Sequence, residues 1–166
     1  MNSTDKTLSY KDVVFPQSME GLATKVRGYR LNRWKETSHA AGIQYTNGTW
    51  NLWINDKFGP RLFDYMVAVM IARIDTGNYT SSQKWIQDST DCDDGLFNHA
   101  ASLLVPPETF QRLEKSGCAW TLEAVAHRMQ VEGNVAKRSY KLYKEKFGKR
   151  KSLWQRIRGF GKWVQE

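Results

Sequence analysis

Residues able to do chemistry are few and scattered in this 166-residue chain. His39, His99 and His127 stand far apart, and none pairs with Glu or Cys at a metal-ligand spacing. One local cluster joins Cys92, Asp93 and Asp94 to His99. Those residue types can bind zinc, but the plainer reading is a polar surface loop followed by one helix histidine. No Gly-x-Ser-x-Gly elbow, phosphate-binding loop or glycine-rich dinucleotide turn is present. Two cysteines, Cys92 and Cys118, are too few for a disulfide framework and read as free thiols of a cytoplasmic protein. No cofactor and no metal are expected.

The densest chemistry is electrostatic and lies at the C-terminal end. The chain carries a net charge of +8. From Lys137 onward there are eleven Lys or Arg against Glu145 and Glu166, a net of +9, so the preceding 136 residues sum to −1. A neutral body with a strongly basic end suits a polyanion or an acidic protein surface; its bland counterpart is a solvated face that aids solubility. Lys137, Arg138, Lys141, Lys149, Arg150, Lys151, Arg156 and Arg158 are the candidate contacts, with Trp154, Phe160 and Trp163 interleaved as aromatic contacts. Lys and Arg hold phosphates, and exposed rings stack on bases. The same segment suits docking on a protein. A membrane surface is the least favoured target, because no second anchoring signal accompanies the basic segment.

These residues must be positioned by a core, and the longest apolar run, Pro60 to Ile74, supplies its centre. Pro60 suits a first helical turn, where its missing N–H costs nothing. An apolar surface nearly all round marks a buried helix. At about 15 residues it is shorter than the roughly 20 that a bilayer needs, and no signal-peptide core is evident near the N-terminus. Residues 1–17 read as a flexible arm. Ser18 caps a first helix to about Trp34, with Leu22, Val26, Tyr29 and Arg33 on one face. A hairpin follows, Gly42–Tyr45 and Trp50–Asn55 around Asn47-Gly48, a strong turn signal. The polar stretch Asp75–Asp94 reads as a surface connection with a helical turn near Lys84-Trp85-Ile86. Helices are then expected at Leu96–Leu104, Glu108–Lys115, Leu122–Gln130 and Val135–Phe147. Gly148 should end the last of these, and Ser152 should cap a separate terminal helix. The fold class is α+β, a small antiparallel sheet packed on a mostly helical body.

Order and local sequence together resemble the ImmA/IrrE-like metallopeptidases of bacteria and mobile elements. LWINDKFGPRLFDY stands where that family has a strand of the form I-x-I/V-N and the start of an R-x-x-x-x-H-E-x-x-H helix. NHAASLLVPPETFQRL is similar to its F-A-x-x-L-L-M-P segment and the helix beyond, and TLEAVAHRMQVEGNVAKRSYKLY to its closing helices. The likeness covers roughly Ser18 to Tyr143. It implies a zincin-like core over 18–117 and helix-turn-helix-like helices over 118–147; the basic aromatic tail over 148–166 is read from its composition.

The departure from the family matters as much as the likeness. Aligning Arg61 with the family's Arg puts Met66 and Met70 where two zinc-binding histidines belong and Val67 where the water-activating Glu belongs. Counting back from Pro106 puts the acidic third ligand at Gly95, beside Asp93 and Asp94. A thioether is a poor zinc ligand, and Val has no proton chemistry. The resemblance therefore implies a pseudo-peptidase: a non-enzymatic, cytoplasmic protein that binds a protein regulator. It would be antirepressor-like, or a counter-defence factor of a phage or mobile element. The alternative is a DNA-binding transcriptional regulator in which Asn134, Lys137, Arg138, Tyr140 and Lys141 of the second C-terminal helix meet the duplex.

Overall fold

The computed structural model describes residues 9–35, 38–79, 83–86 and 92–160, and only the backbone of 83–86 and 149–160. Its fold is α+β. A short α1 (Met19–Gly21), capped by Ser18, continues as a wide turn over Leu22–Val26. Three strands follow, β1 (Arg30–Trp34), β2 (Ala41–Thr46) and β3 (Thr49–Asn55), then α2 (Pro60–Asp75) and β4 (Gln83–Ile86). Four helices complete the chain: α3 (Asp94–Leu104), α4 (Glu108–Ser116), α5 (Leu122–Met129) and α6 (Gly133–Phe160).

The α2 helix forms where its residues demand. Pro60 occupies the first turn after Gly59, where proline's fixed φ is already helical. Met66, Val67, Ala68, Met70, Ile71 and Ala72 are completely buried. With no polar side to offer solvent, α2 is covered by the sheet on one flank and by α3 on another. Each large apolar side chain buried in this way contributes about 1.5–3 kcal/mol.

The sheet has the order β1-β3-β2-β4. The hairpin of β2 and β3 turns at Asn47 and Gly48, whose φ of 52° and 76° supply the left-handed pair that a tight hairpin needs. Alternation then decides the faces. Ile43 pairs with Leu52 and Ala41 with Ile54 on the core side, while Trp53 and Trp34 stand together on the other, 6.0 Å apart.

Several sequence expectations are corrected. The sheet is mixed, because β1 runs parallel to β3, with Leu31 opposite Leu52 and Arg33 opposite Ile54. The helix expected from Ser18 to Trp34 ends at Val26, which is 72% exposed instead of core-facing. Gly28 at φ 69° turns the chain into β1, and the alternation of Leu31 with Asn32 satisfies a sheet edge better than a helix face. Lys84-Trp85-Ile86 belongs to a strand, not a helical turn, since β4 completes the hydrogen bonds of the free edge of β2. The arm expected to be loose is anchored from Ser9 onward: Ser9 caps a single 3-10 turn, Val14 is fully buried, and Arg128 donates to the Val14 carbonyl at 3.2 Å. Residues 1–8 lie outside the described residues.

Gly148 does not break α6. One 28-residue helix runs from Gly133 to Phe160, so Ser152 caps nothing. Glycine in a helix interior costs about 1 kcal/mol relative to alanine, and the Lys, Arg, Leu and Gln around it are good helix formers.

Replacing Met70, at the centre of α2, with alanine should cost about 2–5 kcal/mol through lost transfer energy and an unfilled cavity. Urea unfolding measures it. A loss below about 0.5 kcal/mol, the scale of an ordinary surface substitution, would contradict the burial.

Candidate functional site

The Pro60 helix leaves one part of its surface uncovered. Its first turns present Arg61, Leu62 and Tyr65 to a cleft of about 550 Å³. Phe97 and Leu104 of α3 form the opposite wall, and Val131 and Val135 close the end between α5 and α6. Gln130, at φ 57°, makes the left-handed turn that brings α6 back beside α5 and so sets that end of the cleft. The volume lies within the range typical of ligand pockets, roughly 300–1,000 Å³.

Arg61, Cys92, Asp94, Glu132 and Asn134 add polar groups to the lining. Arg61 and Glu132 approach to 4.0 Å across the mouth, both largely exposed, a spacing and exposure at which an ion pair adds little stability. Burial, reinforced by the neighbouring Cys92 thiol, pushes the Tyr65 phenol from 10 up to about 12, so it enters as a neutral hydrogen-bonding group. Its ring meets Phe97 edge-on at 6.5 Å. The arrangement is a mixed cleft, with Leu62, Phe97, Leu104, Val131 and Val135 beside charges of both signs, suited to apolar side chains flanked by charge.

The positions aligned with zinc chemistry sit below this surface. Met66, Val67 and Met70 are wholly buried in the core cluster, whereas Gly95 is exposed in the first turn of α3. The Cys92–His99 cluster is divided among different duties. Asp93 caps α3 by accepting from the Leu96 N–H at 2.8 Å. Asp94 pairs with Arg138 at 3.0 Å. His99 Nε2 lies 3.0 Å from Asp75, whose carboxylate also accepts two 2.9 Å hydrogen bonds from Arg27. Among the described residues no three His, Cys, Asp or Glu side chains converge as metal ligands would.

The basic candidates also separate. Arg138 donates to Asp94 and Asn98 and stacks 5.2 Å from the Phe97 ring, so it clamps α6 to α3. Lys137 and Lys141 are exposed; Lys141 has only a loose pairing with Glu145, 4.0 Å away. Lys144, which sequence spacing alone did not single out, is exposed beside them, its ammonium 5.2 Å from the Tyr140 ring. A heptad count along an unbroken helix would have found it. Lys149, Arg150, Lys151, Arg156, Arg158, Trp154 and Phe160 lie on α6, but their side chains are outside the described residues, as is all of Trp163.

Neither a protein-family model nor a curated protein matches the chain. The resemblance to zinc peptidases rests on its own motifs and their order.

A second cleft, about 510 Å³, opens between the Pro16–Glu20 segment and the start of α2. Burial, and then the charge of Glu20, push the Asp64 carboxyl above its usual range. Arg33 lines the same cleft beside Glu20 and Asp64, so it carries both signs of charge.

Two pH effects follow from these environments. A raised acid pKa in the folded state means stability that is complete below the unfolded value and lost as pH climbs through the folded value. Tyr65 and Tyr143 are both raised to about 12, Tyr143 by burial and then by its hydrogen bond to Glu114. Stability should therefore fall between pH 10 and 12, and Tyr143→Phe should make that fall shallower; an unchanged slope by denaturant titration would refute the assignment. By the same sign, Asp64→Asn should raise the melting temperature at pH 7, with the gain vanishing at pH below the carboxylate range. A lower melting temperature for the variant at pH 7 would show that Asp64 is stabilised, not strained, in its charged form.

Proposed function

We propose that the chain is a non-catalytic binding protein built on a peptidase-like scaffold. Its cleft between α2, α3 and the α5–α6 turn receives a segment of a protein regulator. The single observation that carries this reading is the split in α2. Met66, Val67 and Met70 are consumed by core packing, while the adjoining surface remains an open cleft of mixed lining. By resemblance the partner is a repressor, another regulator or a defence component, and the protein acts in the cytoplasm by sequestration, antirepressor-like, for a phage or mobile element.

A second reading is favoured by one specific observation. The α6 helix is unbroken through Gly148, so the exposed Lys137 and Lys141 and the basic sequence beyond Gly148 belong to one helix. That helix supports polyanion binding, with α5, the turn and α6 serving as a helix-turn-helix-like unit. Membrane insertion has no comparable support: no helix among the described residues is long and apolar enough to cross a bilayer.

A photo-cross-linking residue at position 62, with capture from host lysate in the presence and absence of nuclease, tests the first reading. Nuclease-insensitive cross-linking to a protein, lost when Tyr65→Lys is added, is the expected outcome. Capture that disappears with nuclease would favour the second reading instead. Zinc content, measured on protein purified without chelators, should be far below one per chain; one tightly held zinc would sink the non-catalytic assignment.

A further inference from the structure

We infer that α6 binds duplex nucleic acid along one continuous lysine-rich face, with its phosphates as the ligand. This deepens the second reading above and rests on it.

The argument begins with which cations are free. The 28 residues of α6 contain ten Lys or Arg and one Glu. Two of the described cations are neutralised at close range by the body: Arg138 by Asp94 at 3.0 Å, and Lys146 by Glu108 at 2.9 Å. The Lys146 partnership holds the Glu108 carboxyl below its ordinary range. Among the described residues, Lys137, Lys141 and Lys144 have no carboxylate partner as close as these. They follow one another at i, i+4 and i+7, so they stand on one side of the helix.

Helical register then extends this row. At 100° per residue, backbone positions 151 and 158 fall about 40° and 60° round from 137, beyond 144 and away from 141, so the row slants along the helix, and both are basic, Lys151 and Arg158. From 137 to 158 an α-helix rises about 31 Å. A duplex carries one phosphate charge per roughly 1.7 Å of axis, so a row of that length faces about nine base pairs. A break at Gly148 would have destroyed the alignment, and the observed continuity preserves it.

The rings on α6 decide between kinds of polyanion. Tyr140, Tyr143 and Phe147 pack on the body: Tyr140 and Tyr143 against Phe110, and Phe147 against Tyr143. Ser139, also on the inward side, is fully buried and donates to the Val105 carbonyl. Tyr140 borders the lysine face, but its ring is engaged by Phe110, Trp120 and Tyr143 and lies under the Lys144 ammonium at 5.2 Å, so it is not free to stack on a base. Single strands are gripped largely by stacking bases on exposed rings; a duplex hides its bases and offers phosphates. The lysine face matches the duplex. An interfacial membrane helix requires a free apolar face, and as far as Phe147 that face of α6 is occupied by α3, α4 and α5.

The test uses the full chain and a 20-base-pair DNA duplex of mixed sequence. An RNA duplex, the corresponding single strands, heparin, and vesicles of phosphatidylcholine with phosphatidylserine are run alongside. Five phosphate contacts give a slope of log affinity against log salt of about −4.5, or a loss of about 500-fold between 50 and 200 mM. Lys137→Gln, Lys141→Gln and Lys144→Gln together should reduce the slope to about −2, with an unchanged melting temperature as the folding control. The DNA and RNA arms show which duplex is preferred, and either one supports the inference. It is overturned if the single strand binds more tightly than the duplex, if only vesicles bind, or if the triple variant keeps the parent slope. Binding to heparin through α6 without duplex binding would overturn the duplex inference but leave the polyanion reading standing. No binding to any of these at 20 mM salt would end both.

Discussion

An α-helix with no polar side has to be covered on every side, and this constraint organises the molecule. The Pro60 helix is buried from Met66 to Ala72, so the sheet must turn Ile43, Leu52 and Ile54 towards it and α3 must turn Leu96, Ala100 and Ala101 inward. The ion-paired group of Arg27, Asp75 and His99 ties the end of this helix to its neighbours before and after it in the chain. Removing a partner from such a group leaves a partly buried charge poorly compensated, a larger effect than loss of an exposed pair.

The cleft is where that covering is incomplete. At the first turns of α2 the chain leaves Leu62 and Tyr65 half-buried beneath an opening. Its opposite wall, α3, is braced from behind by Arg138, which joins Asp94, Asn98 and Phe97 in one contact group. A side chain that reads in sequence as a phosphate contact thus has a structural duty. Its partly buried packing over the Phe97 ring adds to a pairing with Asp94 that is itself 87% exposed and so worth little.

Two surfaces of different chemistry result. The cleft mixes apolar side chains with charges of both signs, and α6 carries charges mostly of one sign. Their juxtaposition near Asn134, which lines the cleft at the start of α6, allows a protein and a polyanion to be engaged side by side. Apolar side chains select by shape and burial, and are insensitive to salt; a row of lysines acts through counterion release, and is strongly salt-dependent. The proposed roles therefore separate by ionic strength as well as by mutation.

Much was legible in the sequence where local chemistry and tertiary demand agree. Pro60 with its apolar run specifies a buried helix, Asn47-Gly48 a tight hairpin, and Gly117 at φ 67° the end of α4, because each rests on backbone preferences that neighbours do not change. The basic end is likewise a property of sequence alone. Tertiary structure decided what depends on remote partners. Arg30–Trp34 and Gln83–Ile86 became strands because β3 and β2 had free edges to satisfy. Arg138 became a clamp because α3 brought a carboxylate, an amide and a ring to it. The basic sequence beyond Gly148 joined Lys137, Lys141 and Lys144 on one helix because α6 did not break there. The cleft has no sequence signature of its own: it exists only because three separate elements approach the start of one helix without closing over it.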